Sequence, residues 1–522
     1  MTNVVIIGGG HNGLAAAFYL AKAGHKPLVL ERSDHVGGGA ITTEFAPGFR
    51  GPALSHEVLL HEQIAREMDL QRHGLELLSP AAQVCAISSD GAPLVLWNDD
   101  ARSAEGLRSR SPRDADAYPR FRDAIDRAAK MLAVALTSPP PDIGGPSAGD
   151  VWQLLKAGRE FRALGTRGGH QLLRWMPMPV ADLVREWFDD ELLRAAVAAP
   201  GLSGTMLGPR SAGSTLVLLL REAHRHLSGQ RRVQVRGGPG RLTHAMAAAA
   251  TAAGAEIRTS ARVERIIVRN ERVAAVVVAG EEIHATTVMS CADPKTTFLE
   301  LLDPVDLAPD FLLKMRNYRA HGTVAKVNLA LSALPSFIGV TDASMLTGRI
   351  HLGPDLDYLE RAFDHAKYGE TSAAPWLDIA LPSVLDPDLA PTGGHVMSVY
   401  AHYAPYALRG TNWSSARDTL LTAVLETLER HAPGMRSSLV SANILTPAAL
   451  HSDYGFSGGH IFHGELALDQ LYAMRPLLGF GRYETPVGGL YLCGGGTHPG
   501  GFLTGASGRL AAHRVLRSSR SR

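Results

Sequence analysis

Val4-Val5-Ile6-Ile7-Gly8-Gly9-Gly10-His11-Asn12-Gly13 is the stretch on which the reading of this chain turns. Its first four residues are all β-branched, the composition of a strand buried on both faces. Three glycines stop that strand, and residues 14–23 then read as an alanine-rich helix. The turn carries Gly8-x-Gly10-x-x-Gly13. In such an arrangement Gly8 permits the tight turn, Gly10 lets a pyrophosphate approach the backbone, and Gly13 lets helix and strand pack closely. The helix N-terminus offers unpaired N–H groups and partial positive charge to phosphates. A second strand, 27–30, leads to Glu31, eighteen residues after Gly13, where a carboxylate can accept hydrogen bonds from a ribose. A lone glycine fingerprint is weak. The strand before it, the helix after it and the acid at this distance together predict an adenine dinucleotide site.

A second glycine motif selects among dinucleotides. Arg32-x-x-x-x-Gly37-Gly38, followed by Thr42, could bring backbone N–H groups to the pyrophosphate from the other side. Glu31 argues against NADP, because its charge opposes a 2′-phosphate. The paired motifs resemble the FAD-binding signature of glutathione-reductase-like flavoproteins, in the branch containing amine oxidases and carotenoid desaturases.

At 522 residues the chain exceeds one ordinary core, so two or three domains are expected. Lys and Arg number 52 against 51 Asp and Glu, which leaves no basic field of the kind a nucleic-acid binder needs. Cys85, Cys291 and Cys493 lie far apart in sequence, which excludes a local redox disulfide motif and a zinc cluster of the usual spacing, and fits a reducing cytosol. No secretory signal is read, and the longest strongly apolar run, 216–220, is too short to span a bilayer. The expectation is a cytoplasmic protein with no metal site, for which peripheral membrane contact stays open.

Residues 1–75 read as the first part of the dinucleotide domain, with an amphipathic helix over 59–70 carrying the chain away. Apolar runs on either side of Ser88-Ser89-Asp90-Gly91 predict a hairpin turning at Asp-Gly. Ser111-Pro112 starts a helix with Phe121, Ile125 and Met131 at helical spacing, and 137–150 reads as a loop. Residues 151–226 are mostly helical, broken at Pro177-Met178-Pro179 and Pro200-Gly201. The α/β character returns at Gly237-Gly238-Pro239-Gly240, with a helix over 242–253 and strands over 261–268, 273–278 and 282–290. The expected division is 1–75, 228–300 and 481–522 for the FAD-binding domain, and 76–227 and 301–480 for a discontinuous, mixed α+β substrate domain.

The chain closes on a strand at 488–493, a glycine loop over 494–501 and a further helix N-terminus over Thr504-Gly505-Ala506-Ser507. With Ser290-Cys-Ala-Asp-Pro294, 459–464, 470–476 and 483–486, this segment completes a nearly end-to-end resemblance to phytoene-desaturase-type FAD oxidoreductases. The subgroup most resembled is that called pyridine nucleotide-disulfide oxidoreductase domain-containing protein 2, with carotenoid ketolases close by. The resemblance implies non-covalent FAD on a Rossmann domain, with His11 and Asn12 shaping the flavin environment. It implies that Gly494, Gly496 and 504–507 cover the flavin and that the strand around Val263 meets adenine.

The resemblance implies a flavoenzyme that dehydrogenates a small apolar, isoprenoid- or carotenoid-like organic substrate by hydride transfer to flavin. Amine or amino-acid oxidation, ketolation, or a flavin-binding interaction protein without turnover are the alternatives. His498 is the candidate catalytic base because it sits in the flavin-covering loop and titrates near neutrality; the other reading is a histidine that only orders the loop. His460, His463, Tyr403 and Tyr454 follow as weaker candidates in the substrate domain. With neither redox cysteines nor a second Rossmann fingerprint, the reduced flavin is expected to give its electrons to oxygen or a quinone.

Overall fold

The computed structural model describes residues 4–88, 91–142, 144–230 and 232–520. The strand Val4–Ile7 is central in a five-stranded parallel sheet ordered Leu490–Leu492, Thr287–Ser290, Val4–Ile7, Leu28–Leu30, Glu256–Arg258. Strands far apart in sequence therefore build one sheet around the N-terminal run. Its side chains alternate, as a strand's must. Val4 and Ile6 join the core formed with Leu14, Leu242, Met246 and Leu510 of the helices His11–Lys22, Pro239–Ala252 and Ala506–Arg520. Val5 and Ile7 join Val263, Ile266 and Val276 of an antiparallel three-stranded sheet, Val263–Arg269, Arg272–Val278 and Glu281–His284. Both faces are covered, which is why the strand is apolar throughout.

A second, seven-stranded sheet runs in the order Leu439–Leu445, Val324–Leu331, His395–His402, Leu377–Ala380, Arg349–Leu352, Ala82–Ala86, Leu94–Trp97. It is antiparallel except where Arg349–Leu352 meets Ala82–Ala86. One face, with Val327, Leu329, Ile379 and Val399, packs on Leu420, Val424 and Leu428 of the helix Trp413–His431. The alternate positions Lys326, Asn328, Ser398, Tyr400 and His402 lie on the other face and are also buried. A helical layer completes this half, with Pro112–Leu136 packed on Ser214–Leu227. The architecture is that of a glutathione-reductase-like FAD-binding Rossmann fold with a discontinuous mixed α+β substrate domain.

Four expectations need correction or limits. The helix expected over 59–70 spans only Glu62–Glu67. Residues 58–61 are buried and extended instead, because Leu59 N–H donates to the Leu503 carbonyl and His61 N–H to Thr504, both 3.3 Å away. The strand expected over 282–290 is two strands in different sheets, parted at Ala285-Thr286. The helix that follows the 137–150 loop already begins at Ala148, capped by Ser147 and Asp150 in a reciprocal pair. Ala82–Ala86 and Leu94–Trp97 do pair antiparallel, but Ser89 and Asp90 of the expected turn lie outside the described residues. Among the described residues, no helix is long and apolar enough to cross a membrane, and no group of three or more His, Cys, Asp or Glu could hold a metal ion.

Candidate active site

The glycine turn is built as its spacing demands. Gly8 takes φ +96° and donates to the Leu30 carbonyl at 2.8 Å. A Cβ on Gly13 would stand 2.1 Å from the Gly8 oxygen, so only glycine lets helix and turn approach this closely. Gly10 is the N-cap of His11–Lys22, without a side-chain cap and without an acid in the first turn. A Cβ there would meet nothing within 4 Å. The helix end is thus open to an anion, with its first N–H groups free of side-chain partners.

The two glycine motifs meet. Gly37 N–H donates to the Gly9 carbonyl at 3.0 Å, and Gly10 and Gly37 form a bridge. Glu31 is buried at the end of its strand and accepts Gly9 N–H at 2.7 Å and Ser33 N–H at 2.9 Å. A carboxylate has about four acceptor sites, so two remain for a ribose. The turn opens into a cavity of about 990 Å³, at the top of the roughly 300–1,000 Å³ range of small-ligand sites.

One arm of the cavity is the nucleotide cradle. Gly8, Gly10, His11, Asn12, Glu31, Arg32, Gly37, Gly38 and Val263 all line it, joined by Cys291 and Asp293. Arg32 also donates to the Asp453 carbonyl at 2.6 Å, tying the cradle to the opposite wall. The rest of the lining, the chamber, includes Leu54, Leu59, Tyr400, Leu445, Tyr454, Phe456, Ile461, Phe462, Phe502 and Leu503, with Ser55, Glu57, Ser203, Arg221, Asp453 and His463 among its polar residues.

Several expected contacts do not reach the cavity. Thr42 turns its Oγ1 to the Gly237 carbonyl and the Gly240 N–H, both at 3.1 Å, and Thr43 is the lining residue. Gly494 and Gly496 are packing glycines: an added Cβ would come within 2.5 Å of the Cys291 oxygen and 2.3 Å of Pro294 respectively, and Gly495 between them lines the cavity. Thr504, Gly505, Ala506 and Ser507 stand one layer behind Phe502 and Leu503. There Gly508 packs onto the Asn12 backbone and donates to its Oδ1 at 3.4 Å. That contact fastens the C-terminal helix to the nucleotide helix.

The structure turns His498, the expected base, away from the cavity. Its buried ring bonds through Nε2 to the Ala135 carbonyl at 3.0 Å and does not line the cavity, while its own carbonyl accepts from Tyr483 OH at 2.9 Å. Burial lowers its pKa to about 4, so the neutral ring orders the loop. His460 and Tyr403 are also withdrawn: His460 Nδ1 accepts Phe462 N–H at 3.1 Å, and Tyr403 OH donates to the Leu207 carbonyl at 2.8 Å.

The imidazoles on the cavity are His11, His463 and those near its rim, His35 and His451. Burial, then the neighbouring His463, lowers His11 to about 4, and its Nε2 has no hydrogen-bond partner among the described residues. Burial also lowers His463, against the pull of Asp293, and leaves its Nδ1 without one. Both rings are neutral, the form that accepts a proton or a hydrogen bond.

Glu57, Arg221, Tyr400 and Lys326 were not legible in sequence as site residues. Burial alone would raise the Glu57 carboxyl, but Arg221 and Arg225 outweigh it and hold it at about 2. Lys326, fully buried beneath Tyr400, donates to Ser398, and burial pushes its pKa down to about 7. The signal for this layer was the alternation Lys326-x-Asn328 and Ser398-x-Tyr400-x-His402 within otherwise apolar strands.

The open helix end, the two joined glycine turns, the half-used Glu31 carboxylate and Val263 beside them fit FAD. Comparison with known proteins agrees. A family model for flavin containing amine oxidoreductases matches residues 156–516, and one for an NAD(P)-binding Rossmann-like domain matches residues 6–62. Pyridine nucleotide-disulfide oxidoreductase domain-containing protein 2 of Rattus norvegicus is 37% identical over 99% of this chain and 93% of its own length. A lycopene-forming phytoene desaturase of Pseudescherichia vulneris is 28% identical over 99% of both. The crystal structure of an oxidoreductase from Methanosarcina mazei superposes with a TM-score of 0.63 at 16% identity, covering 99% of this chain and 100% of that one, which bears on the fold alone. The resemblance read from the glycine motifs is therefore correct, and this chain belongs to the flavin-containing amine oxidoreductase family as an FAD-dependent oxidoreductase.

Proposed function

We propose that this enzyme dehydrogenates an apolar, isoprenoid-like organic substrate and passes the electrons to oxygen or a quinone. The observation that carries the reading is the chamber beside the cradle, whose walls are mostly aliphatic and aromatic side chains. The similarity to a phytoene desaturase supports it. When bound, FAD supplies the hydride acceptor. The chain's own part is to hold the substrate against that cofactor, exclude water and place a proton acceptor.

Leu59, Phe462 and Phe502 belong to one buried apolar cluster, which keeps the chamber wall dry and in place. His463 stands on the cavity, 5.0 Å from the Phe456 ring, with neutral Nδ1 unpartnered. It is the proton acceptor of this reading. The helix Ala148–Ala163 exposes Val151, Trp152, Leu154 and Leu155 beside Lys156, Arg159 and Arg162. An apolar stretch edged with basic residues suits peripheral contact with a membrane, where apolar substrate and quinone are both found.

The test is anaerobic mixing of the FAD-loaded protein with a saturated or partly saturated isoprenoid, a primary amine and NAD(P)H in turn, followed by flavin absorbance. Bleaching by the isoprenoid alone is the expected result. Bleaching by the amine or by NAD(P)H without any by the isoprenoid would overturn the reading.

A further inference from the structure

The helix Ser214–Leu227 brings Arg221 to the chamber wall. Its side chain is only 8% exposed. Arg221 donates to Glu57 and reaches the Ser203 carbonyl at 3.5 Å, while its buried Nε has no hydrogen-bond partner among the described residues. Its guanidinium carbon lies 5.0 Å from the Phe502 ring. Glu57 does not belong to Arg221 alone, because Arg225 stands 3.3 Å from the same carboxylate.

The charge imbalance continues behind the wall. Glu222 is shared by Arg225 and Arg122, and Asp378 faces Arg349 at 3.6 Å. Arg232 lies in the field of both Glu57 and Asp378. Among the described residues, the three carboxylates Glu57, Glu222 and Asp378 are thus set against five guanidinium groups, of which Arg122 also reaches the exposed Asp126. A buried cation without a full partner is costly. Here the cationic excess adjoins the chamber in which a substrate would lie. An apolar ligand with a neutral end would leave it uncompensated; a ligand ending in an oxyanion would complete it. Arg221 keeps one buried donor, Nε, without an assigned partner among the described residues, and a guanidinium at a chamber wall suits a singly charged, planar head.

We propose that the substrate is an apolar molecule bearing a carboxylate, which Arg221 binds while the hydrocarbon part lies along Phe462 and Phe502. This inference rests on the apolar reading of the chamber above and adds the acid head to it. Arg221 is a specificity residue in it: it discriminates acid from alcohol and amine.

The holoenzyme is titrated with dodecanoate, dodecan-1-ol and dodecylamine, and binding is read from the absorbance of the bound flavin. Dodecanoate is expected to bind roughly tenfold or more tightly than the alcohol, the value of one charge-assisted bond, with the amine weakest. In the paired variant Arg221→Gln/Glu57→Gln, which removes one charge of each sign, that preference should vanish while FAD content is kept. Arg221→Lys should retain part of it. Should the paired variant lose FAD, the ligand series on the parent enzyme and on Arg221→Lys decides. Alcohol binding as tightly as acid, tighter binding of the amine, or undiminished acid preference in the paired variant would each overturn the acid head and leave the apolar chamber standing. Failure of all three ligands to perturb the flavin would overturn both readings.

Discussion

Gly10 and Gly13 lie three residues apart in one turn, yet their replacement by alanine should fail in different ways. At Gly10 the backbone sits at φ −70°, ψ 170°, which any residue adopts, and an added Cβ meets nothing within 4 Å. Gly10→Ala should therefore leave the apoprotein's stability within about 0.5 kcal/mol. Its methyl would stand where the pyrophosphate must approach the backbone. Loss of one charge-assisted hydrogen bond is about 1.5–3 kcal/mol, or roughly ten- to a hundredfold in Kd. At Gly13 the added Cβ falls 2.1 Å from the Gly8 oxygen, a backbone atom that cannot rotate away. Overpacking of this kind costs about 1–3 kcal/mol, and each kcal/mol lowers the melting point of a domain of 150–250 residues by about 2–4 °C. Thermal melts of the two apoproteins, and titration of each with FAD by quenching of flavin fluorescence, separate the effects. Parent-like FAD affinity in Gly10→Ala would show that the pyrophosphate does not cross Gly10. Equal destabilisation of the two apoproteins would refute the open space above it.

The remaining expectations use the same preparations. Glu31→Gln keeps one acceptor for the Gly9 and Ser33 N–H groups but turns an NH₂ toward the other, so FAD affinity should fall by about tenfold or more; unchanged affinity in the same titration would remove Glu31 as the ribose ligand. Cys291 lines the nucleotide arm and is half-buried, whereas Cys85 and Cys493 are buried, so maleimide labelling read by peptide mass should fall at Cys291 by roughly an order of magnitude when FAD binds, and a rate indifferent to FAD would place the cofactor elsewhere. Lys326 has a folded pKa of about 7 against 10.5 unfolded, so between those values the unfolded chain holds a proton that the folded one lacks, and this residue's contribution to stability rises with pH across that window and is level below it. Lys326→Met should accordingly melt above the parent near pH 7, with the difference closing toward pH 10; a difference that does not change with pH would contradict the buried-ammonium account.

The cradle was legible because each of its residues acts locally. Gly8, Gly10 and Gly13 act within a single turn, and Glu31 follows at the distance one helix and one strand impose. Even the junction of Gly37 with Gly9 needs no knowledge of the rest of the chain. The chamber is different in kind. Its walls come from 54–59, 203–221, 400, 445–463 and 502–503, joined only by the tertiary fold, and each piece alone reads as ordinary apolar sequence. His498 shows the same limit from the other side. Its place in a glycine loop was read correctly, but the direction of its ring depends on the end of the helix Pro112–Leu136, more than 360 residues earlier. The helix expected over 59–70 failed for a related reason: pairing with Leu503 and Thr504 satisfied the backbone that periodicity had assigned to a helical turn.

The polar layer under the chamber is where local rules and the fold disagree most. Lys326 and Asn328 occupy a strand whose eight residues are all buried, and Arg221 lies on a helix whose neighbours Val217 and Leu218 are core. Replacing a buried ionic group by well-packed apolar residues is often neutral or stabilising, so these charges are poor choices for stability alone. They are also not scattered. Glu57 connects Arg221 with Arg225, Lys326 underlies Tyr400, and Glu57, Arg221 and Tyr400 all line the same chamber. Departures from core rules that gather against one cavity mark the place where a fold is spent on a ligand rather than on itself. In this chain that place lies at the joint of the helix Ser214–Leu227 with the polar face of the seven-stranded sheet, outside the Rossmann fold. On the proposed reading, the nucleotide half holds the cofactor and substrate choice falls to the residues of this chamber.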